Sequence, residues 1–216
     1  MVSPKPTGFL YTLFHMVFAL FALIKRIFTE MLALHGILWY TEFMNYDYPT
    51  LYNKNAEFYK THKTALLAIR LSNVFLSWLF VVCYGVLWVN ALWLNEFSSK
   101  EIVAILLPPA LTLLTATLLR ILFERPRPYS EQGANITPLV KKKDSDLRSF
   151  PSRHLACAAV ISTVYLPFYP IAGISLLLGS LLLGYVRFAL GLHYPSDLLA
   201  GEGIGVLFGC LTFFFV

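Results

Sequence analysis

The chain has 216 residues, 57% of them hydrophobic and 13% charged, with a mean hydropathy of +0.65. That balance excludes a soluble globular domain, and the unbroken apolar runs exclude the short alternating segments of an antiparallel membrane barrel. The net charge of +5 lies in loops between those runs, which points to anionic headgroups or a phosphorylated substrate as partner and away from nucleic acid.

The pattern predicts an all-α, polytopic membrane helical bundle of about six transmembrane helices in one domain, 1–216. Residues 8–24 are apolar and are followed by Lys25 and Arg26; a signal peptide places its charges first, so this reads as a retained span. The next run, 27–40, holds Glu30 and His35 and is short for a crossing, so it continues the first helix or lies at the interface. Residues 41–70 read as a polar, Tyr-rich connection with Asp47, Pro49 and basic residues at 54, 60, 63 and 70. A span follows at 72–94, with Trp88 and Trp93 as interface anchors, and a turn at 96–101. The run 102–123 rises roughly 33 Å at about 1.5 Å per residue, enough to cross, with a bend expected at Pro108 and Pro109.

The loop 124–150 is the most polar stretch and carries Lys141-Lys142-Lys143 with Asp144 and Asp146, either a headgroup-binding patch or a solvated charge run. Three apolar runs complete the chain at 154–168, 171–187 and 198–216, with Pro167 and Pro170 marking the turn between the first two. Cys83, Cys157 and Cys210 each sit inside an apolar run without metal-ligand spacing, and read as small hydrophobes.

Counting crossings brings three polar clusters to one membrane face: Arg120 with Arg127-Pro128, Pro151-Ser152-Arg153-His154, and Arg187 with His193 and Asp197. Charge at the junction of apolar segments is costly and marks a functional site. Arg120 and Arg127 are two turns apart, so on a continuing helix stopped by Pro128 they share a face. Arginine binds phosphate through a planar fork and never loses its charge. Pro151 is expected as the first residue of a helix, which turns the amides of Ser152, Arg153 and His154 toward an anion. Pro195 is expected to open the last helix, with Asp197 in its first turn, placed to accept the Nδ1 hydrogen of His193 and leave Nε2 for the substrate. Taken singly, the clusters also fit snorkelling arginines and ordinary helix caps.

Arg120-x6-Arg127-Pro128, Pro151-Ser152-Arg153-His154 and Arg187-x5-His193-x3-Asp197 together resemble the three-part signature of the type 2 phosphatidic acid phosphatase superfamily, which includes membrane lipid phosphatases and vanadium-dependent haloperoxidases. The resemblance implies that His193 is a nucleophile forming a phosphohistidine, that Asp197 orients it, and that His154 protonates the leaving group. It further implies that Arg120, Arg127, Ser152 and Arg187 hold the phosphate, with no metal or cofactor. Three positions depart from the family pattern: Arg120 stands where lysine is usual, Arg153 where glycine is common, and Val186 where serine commonly precedes the last arginine. Arg153 then caps the site or meets a second phosphate.

The implied activity is metal-independent hydrolysis of a lipid monophosphate or diphosphate of the polyprenyl diphosphate, phosphatidylglycerol phosphate or phosphatidic acid class. A vanadate haloperoxidase shares the anion site but belongs to soluble proteins. A non-catalytic phospholipid binder or lipid carrier is the alternative of a different class, and an oriented nucleophile argues against it. The location is a multi-pass cell membrane. Its orientation is contested: 15 of the 17 Lys and Arg fall on the cluster side, which by the positive-inside rule is cytoplasmic, whereas the resemblance implies an extracytoplasmic site.

Overall fold

A computed structural model describes residues 48–93, 97–141 and 148–216. The chain divides into two compact units, Met1–Tyr48 and Pro49–Val216, and the second holds nearly all of the described residues. The expected span at 8–24, the run at 27–40, the Trp93 side chain and the Lys142-Lys143 charges lie outside them.

The described secondary structure is helical: α1 (Tyr48–Thr61), α2 (Lys63–Trp93), α3 (Ser99–Phe123), α4 (Arg153–Tyr165), α5 (Pro170–Ala189) and α6 (Pro195–Gly209), the last continued by a 3-10 turn at Cys210–Phe214. Among the described residues, four stretches are long and apolar enough to cross a membrane: Lys63–Leu92, Ser99–Phe123, Pro170–Ala189 and Pro195–Phe214. Their outer faces carry exposed Phe75, Trp78, Leu106, Leu178 and Leu199, as suits helices solvated by lipid.

The expected polar connection at 41–70 is helical from Tyr48 onward. Low mean hydropathy hid an amphipathic stripe, in which Tyr52 and Ala56 are wholly buried while Lys54, Glu57 and Lys60 face outward. The Tyr52 hydroxyl donates to the Thr137 carbonyl at 2.9 Å. The 31 residues of α2 rise about 46 Å, well beyond a hydrocarbon core of about 30 Å. Arg70 near its start donates from Nε to the Leu139 carbonyl at 2.7 Å, which ties this end of α2 to the long loop.

The α3 helix opens on a capping box, with Ser98 N–H donating to Glu101 Oε2 at 2.6 Å, and runs unbroken through Pro108 and Pro109. It stops at Phe123, the end of the expected apolar run, and does not continue to Pro128: Glu124 is left-handed, with φ 37°, and Pro126 disfavours helical backbone at Arg125. Arg127 therefore stands in the loop, off the helix that carries Arg120.

The run 154–168 forms α4, of 13 residues, rising about 20 Å, shorter than a full crossing. It is the enclosed helix of the bundle. Every residue from Leu155 to Tyr165 is buried except the half-buried Cys157, as expected for a helix apolar on all sides. Its most extensive neighbour is α6, and the approach is set by three glycines spaced four apart. A Cβ on Gly201 would lie 2.6 Å from the Ser152 carbonyl oxygen, one on Gly205 2.4 Å from that of Ala156, and one on Gly209 2.5 Å from Thr163 Cβ. Small residues at this spacing let membrane helices meet backbone to backbone.

Phe97 and Phe168 stack edge-on at 4.9 Å, placing the α2–α3 and α4–α5 turns together at one end of the bundle. The polar loops gather at the other end.

Candidate active site

At that second end the long loop is stapled at its base. Ser149 N–H donates to the Arg125 carbonyl at 2.8 Å, and Leu139 N–H donates to that of Leu190 at 3.1 Å. Arg120, buried on the last turn of α3, donates to the carbonyls of Arg148 and Pro151. Its charge thus lies beneath the segment that leads into α4.

Pro151 precedes α4 and does not open it. Ser152 is the N-cap, in extended backbone, and α4 starts at Arg153. The Ser152 amide is directed outside the helix, to the Asp197 carbonyl at 2.9 Å, which joins the starts of α4 and α6 and explains the later onset. Arg153 and His154 then occupy the first turn of α4 with exposed side chains.

Pro195 opens α6, with Asp197 in its first turn. Asp197 is wholly buried. One carboxylate oxygen, Oδ2, accepts from Tyr194 N–H at 3.0 Å and lies 3.6 Å from His193 Nδ1. The other, Oδ1, accepts from Arg125 at 2.8 Å. A histidine–carboxylate separation slightly beyond a hydrogen bond is usual for catalytic pairs that tighten around substrate.

Arg127 donates to the Leu192 carbonyl at 3.1 Å and lies 3.5 Å from His193 Nε2. A guanidinium only donates, so Nε2 is the acceptor and the ring hydrogen sits on Nδ1, facing Asp197. Burial pushes the His193 pKa down to about 4; Asp197 pulls it upward, while Arg127 and Arg187 add to the downward push. The imidazole is therefore neutral near pH 7, with its Nε2 lone pair in place. The loop that carries it turns at Gly191, φ 75°. A Cβ there would lie 2.9 Å from both the Tyr52 ring and Ile136.

Three buried polar atoms around this histidine have no hydrogen-bond partner: Ser152 Oγ, Arg187 Nε and His193 Nδ1. Arg187 is only 6% exposed, on the last turn of α5. Buried donors left unmatched are rare because each costs about 1–3 kcal/mol; here two belong to residues that favour oxyanions. The structure thus joins Arg127, Arg187, Ser152, His193 and Asp197 in one linked cluster. Arg120 meets it through Pro151, and Arg153 and His154 stand at its exposed margin. Among the described residues no group of three His, Cys, Asp or Glu has the arrangement of a metal site. Residue patterns give no role to Tyr194 or Ser196 and mark Arg125 only as one more arginine that could serve phosphate; the three pack against one another at the start of α6. The sole local hint is the Arg-Pro-Arg-Pro run at 125–128.

A model of the PAP2 superfamily matches residues 101–216. No curated protein matches the chain by sequence. Among solved structures, LpxE of Aquifex aeolicus is similar at 26% identity over 68% of this chain and 93% of its own, with a TM-score of 0.49. A transmembrane PAP2-type phosphatidylglycerolphosphate phosphatase from Bacillus subtilis is similar at 21% identity over 78% and 93%, with a TM-score of 0.47. The family match takes in all three polar clusters and more than half of the sequence, and the chain belongs to the PAP2 superfamily.

Proposed function

We propose that the chain hydrolyses a lipid phosphate monoester or diphosphate without a metal, through a phosphohistidine on His193, at a site on the extracytoplasmic face. A PAP2 chain built of membrane-spanning helices is a membrane lipid phosphatase. The observation that carries it is the set of buried, unmatched donors on Ser152 and Arg187 beside a neutral, oriented imidazole.

In this reading Arg127, Arg187 and Ser152 bind the equatorial phosphate oxygens, and Arg120 adds its charge from beneath the pocket. His193 Nε2 attacks phosphorus in line, and the bond from phosphorus to the leaving oxygen, the lipid oxygen of a monoester or the bridging oxygen of a diphosphate, breaks as His154 delivers its proton to that oxygen. Asp197 stabilises the ring cation formed on His193. Water then attacks the phosphohistidine, giving a proton back to His154, and the phosphorus–nitrogen bond breaks to release inorganic phosphate. Arg153, exposed beside His154, meets the second phosphate when the substrate is a diphosphate.

The test is phosphate release from polyprenyl diphosphate, phosphatidylglycerol phosphate and phosphatidic acid by purified protein in detergent with excess chelator. Wild type should turn over at least one of them, and His193→Ala should lose about 10³-fold or more in kcat with its helical content intact. A wild-type rate in that variant would remove the nucleophile assignment. Lipid binding without any release by wild type would favour a binding or carrier protein.

A further inference from the structure

Arg125 makes three contacts with the turn that carries the histidine. Its Nη1 donates to Asp197 Oδ1 at 2.8 Å and to Ser196 Oγ at 2.7 Å, and its guanidinium lies 4.2 Å over the Tyr194 ring. Its own backbone is fixed by Ser149, which donates to the Arg125 carbonyl from its amide. The Arg125 Nη1 is engaged by the Ser196 hydroxyl and by Oδ1 of Asp197, the carboxylate oxygen that His193 Nδ1 does not face.

We infer that Arg125 is a positioning residue for the nucleophile, holding Asp197 by Oδ1 so that Oδ2 is presented to His193 Nδ1. The inference rests on the phosphohistidine reading. A carboxylate with one oxygen unheld can rotate, and the imidazole then loses its fixed tautomer. Arg125 also offsets part of the Asp197 charge, so the carboxylate orients the ring without making it too basic to remain neutral. The other groups around the pair are Arg127 from the long loop, Arg187 from α5, the Tyr194 amide and Ser196 from the same turn, and Ser152, Arg153 and His154 from the start of α4.

The experiment compares Arg125→Gln and Arg125→Lys with wild type in phosphate release across pH, with unfolding midpoints measured alongside. Gln removes the cation and Lys retains it. In Arg125→Gln, kcat should fall about 10–100-fold, as when a residue orienting a functional side chain from behind is lost, while KM changes less than about twofold. Removing a cation makes His193 easier to protonate, so the acid limb of kcat/KM should move to higher pH by about half a unit or more. Arg125→Lys should keep the wild-type acid limb and recover most of the lost kcat. An Arg125→Gln enzyme with wild-type kcat and limb would overturn the inference, as would a Lys variant as impaired as Gln. If Gln does not fold, the Lys variant is judged against wild type, and a displaced acid limb or a kcat reduced about tenfold would overturn the inference. An inactive wild type would instead sink the phosphatase reading, so the two failures are distinguishable.

Discussion

His193 sits among two arginines and a carboxylate, yet burial dominates and keeps its ring neutral. Neutrality has a cost in acid. The ordinary histidine pKa is 6.5 and that of the folded protein is about 4, so between those values the unfolded chain binds a proton that the native site refuses. Stability therefore falls as pH drops through this window, by up to about 3 kcal/mol in all. His193→Gln removes the titration. Its unfolding midpoint should drop less than that of wild type between pH 7 and pH 4.5, and equal drops would show that the native ring takes up its proton near pH 6.5. The residues of this cluster were legible because charge at the end of an apolar segment is costly wherever the chain goes. The contact of Arg125 with Asp197 was not, since it depends on Ser149 and Asp197 arriving from distant parts of the chain.

The bond between α4 and α6 is what joins two of the polar clusters, because the Ser152 amide donates to the Asp197 carbonyl at the start of α6. Gly205→Ala would push a methyl carbon to 2.4 Å from the Ala156 carbonyl oxygen and 2.6 Å from Ala159 Cβ, both on a helix enclosed by its neighbours. The helices must part, at a cost of about 1–3 kcal/mol, and Ser152 moves with α4, so kcat should fall as well. Gly203, two residues earlier on the same helix, faces open space, and a Cβ there would meet nothing within 4 Å. Gly203→Ala should be neutral or more stable by up to about 1 kcal/mol. Unfolding midpoints and kcat for the two variants check this, and indistinguishable variants would refute the glycine seam. Long apolar runs announced α2, α3, α5 and α6 directly. The α1 helix did not announce itself because its buried stripe is made of tyrosines and an alanine among lysines. The end of α3 ahead of Arg127 was written in Pro126, whose effect the more conspicuous Pro128 obscured.

For the molecule as a whole the open quantity is which face of the membrane carries the site. Lys54, Lys60, Lys63 and Arg70 join the site arginines at one end of the bundle, opposite Lys100, and a simple charge count puts that end in the cytoplasm. The fold weakens that count. Arg70 is bonded to the Leu139 carbonyl, Arg127 to that of Leu192, Arg125 to Asp197, and Arg148 is paired with Glu124 at 3.3 Å. Cations held by loop and site have a structural reason to be where they are, so they report topology less faithfully than solvated lysines do. With the family resemblance pointing outward, we expect an extracytoplasmic site. The check starts from a chain whose Cys83, Cys157 and Cys210 have been replaced. Glu131→Cys, at an exposed position in the site loop, should react with a membrane-impermeant maleimide on intact cells. Lys100→Cys, exposed at the start of α3, should react only after permeabilisation. The reverse pattern would place the phosphate chemistry in the cytoplasm and give the lysines their ordinary topogenic role.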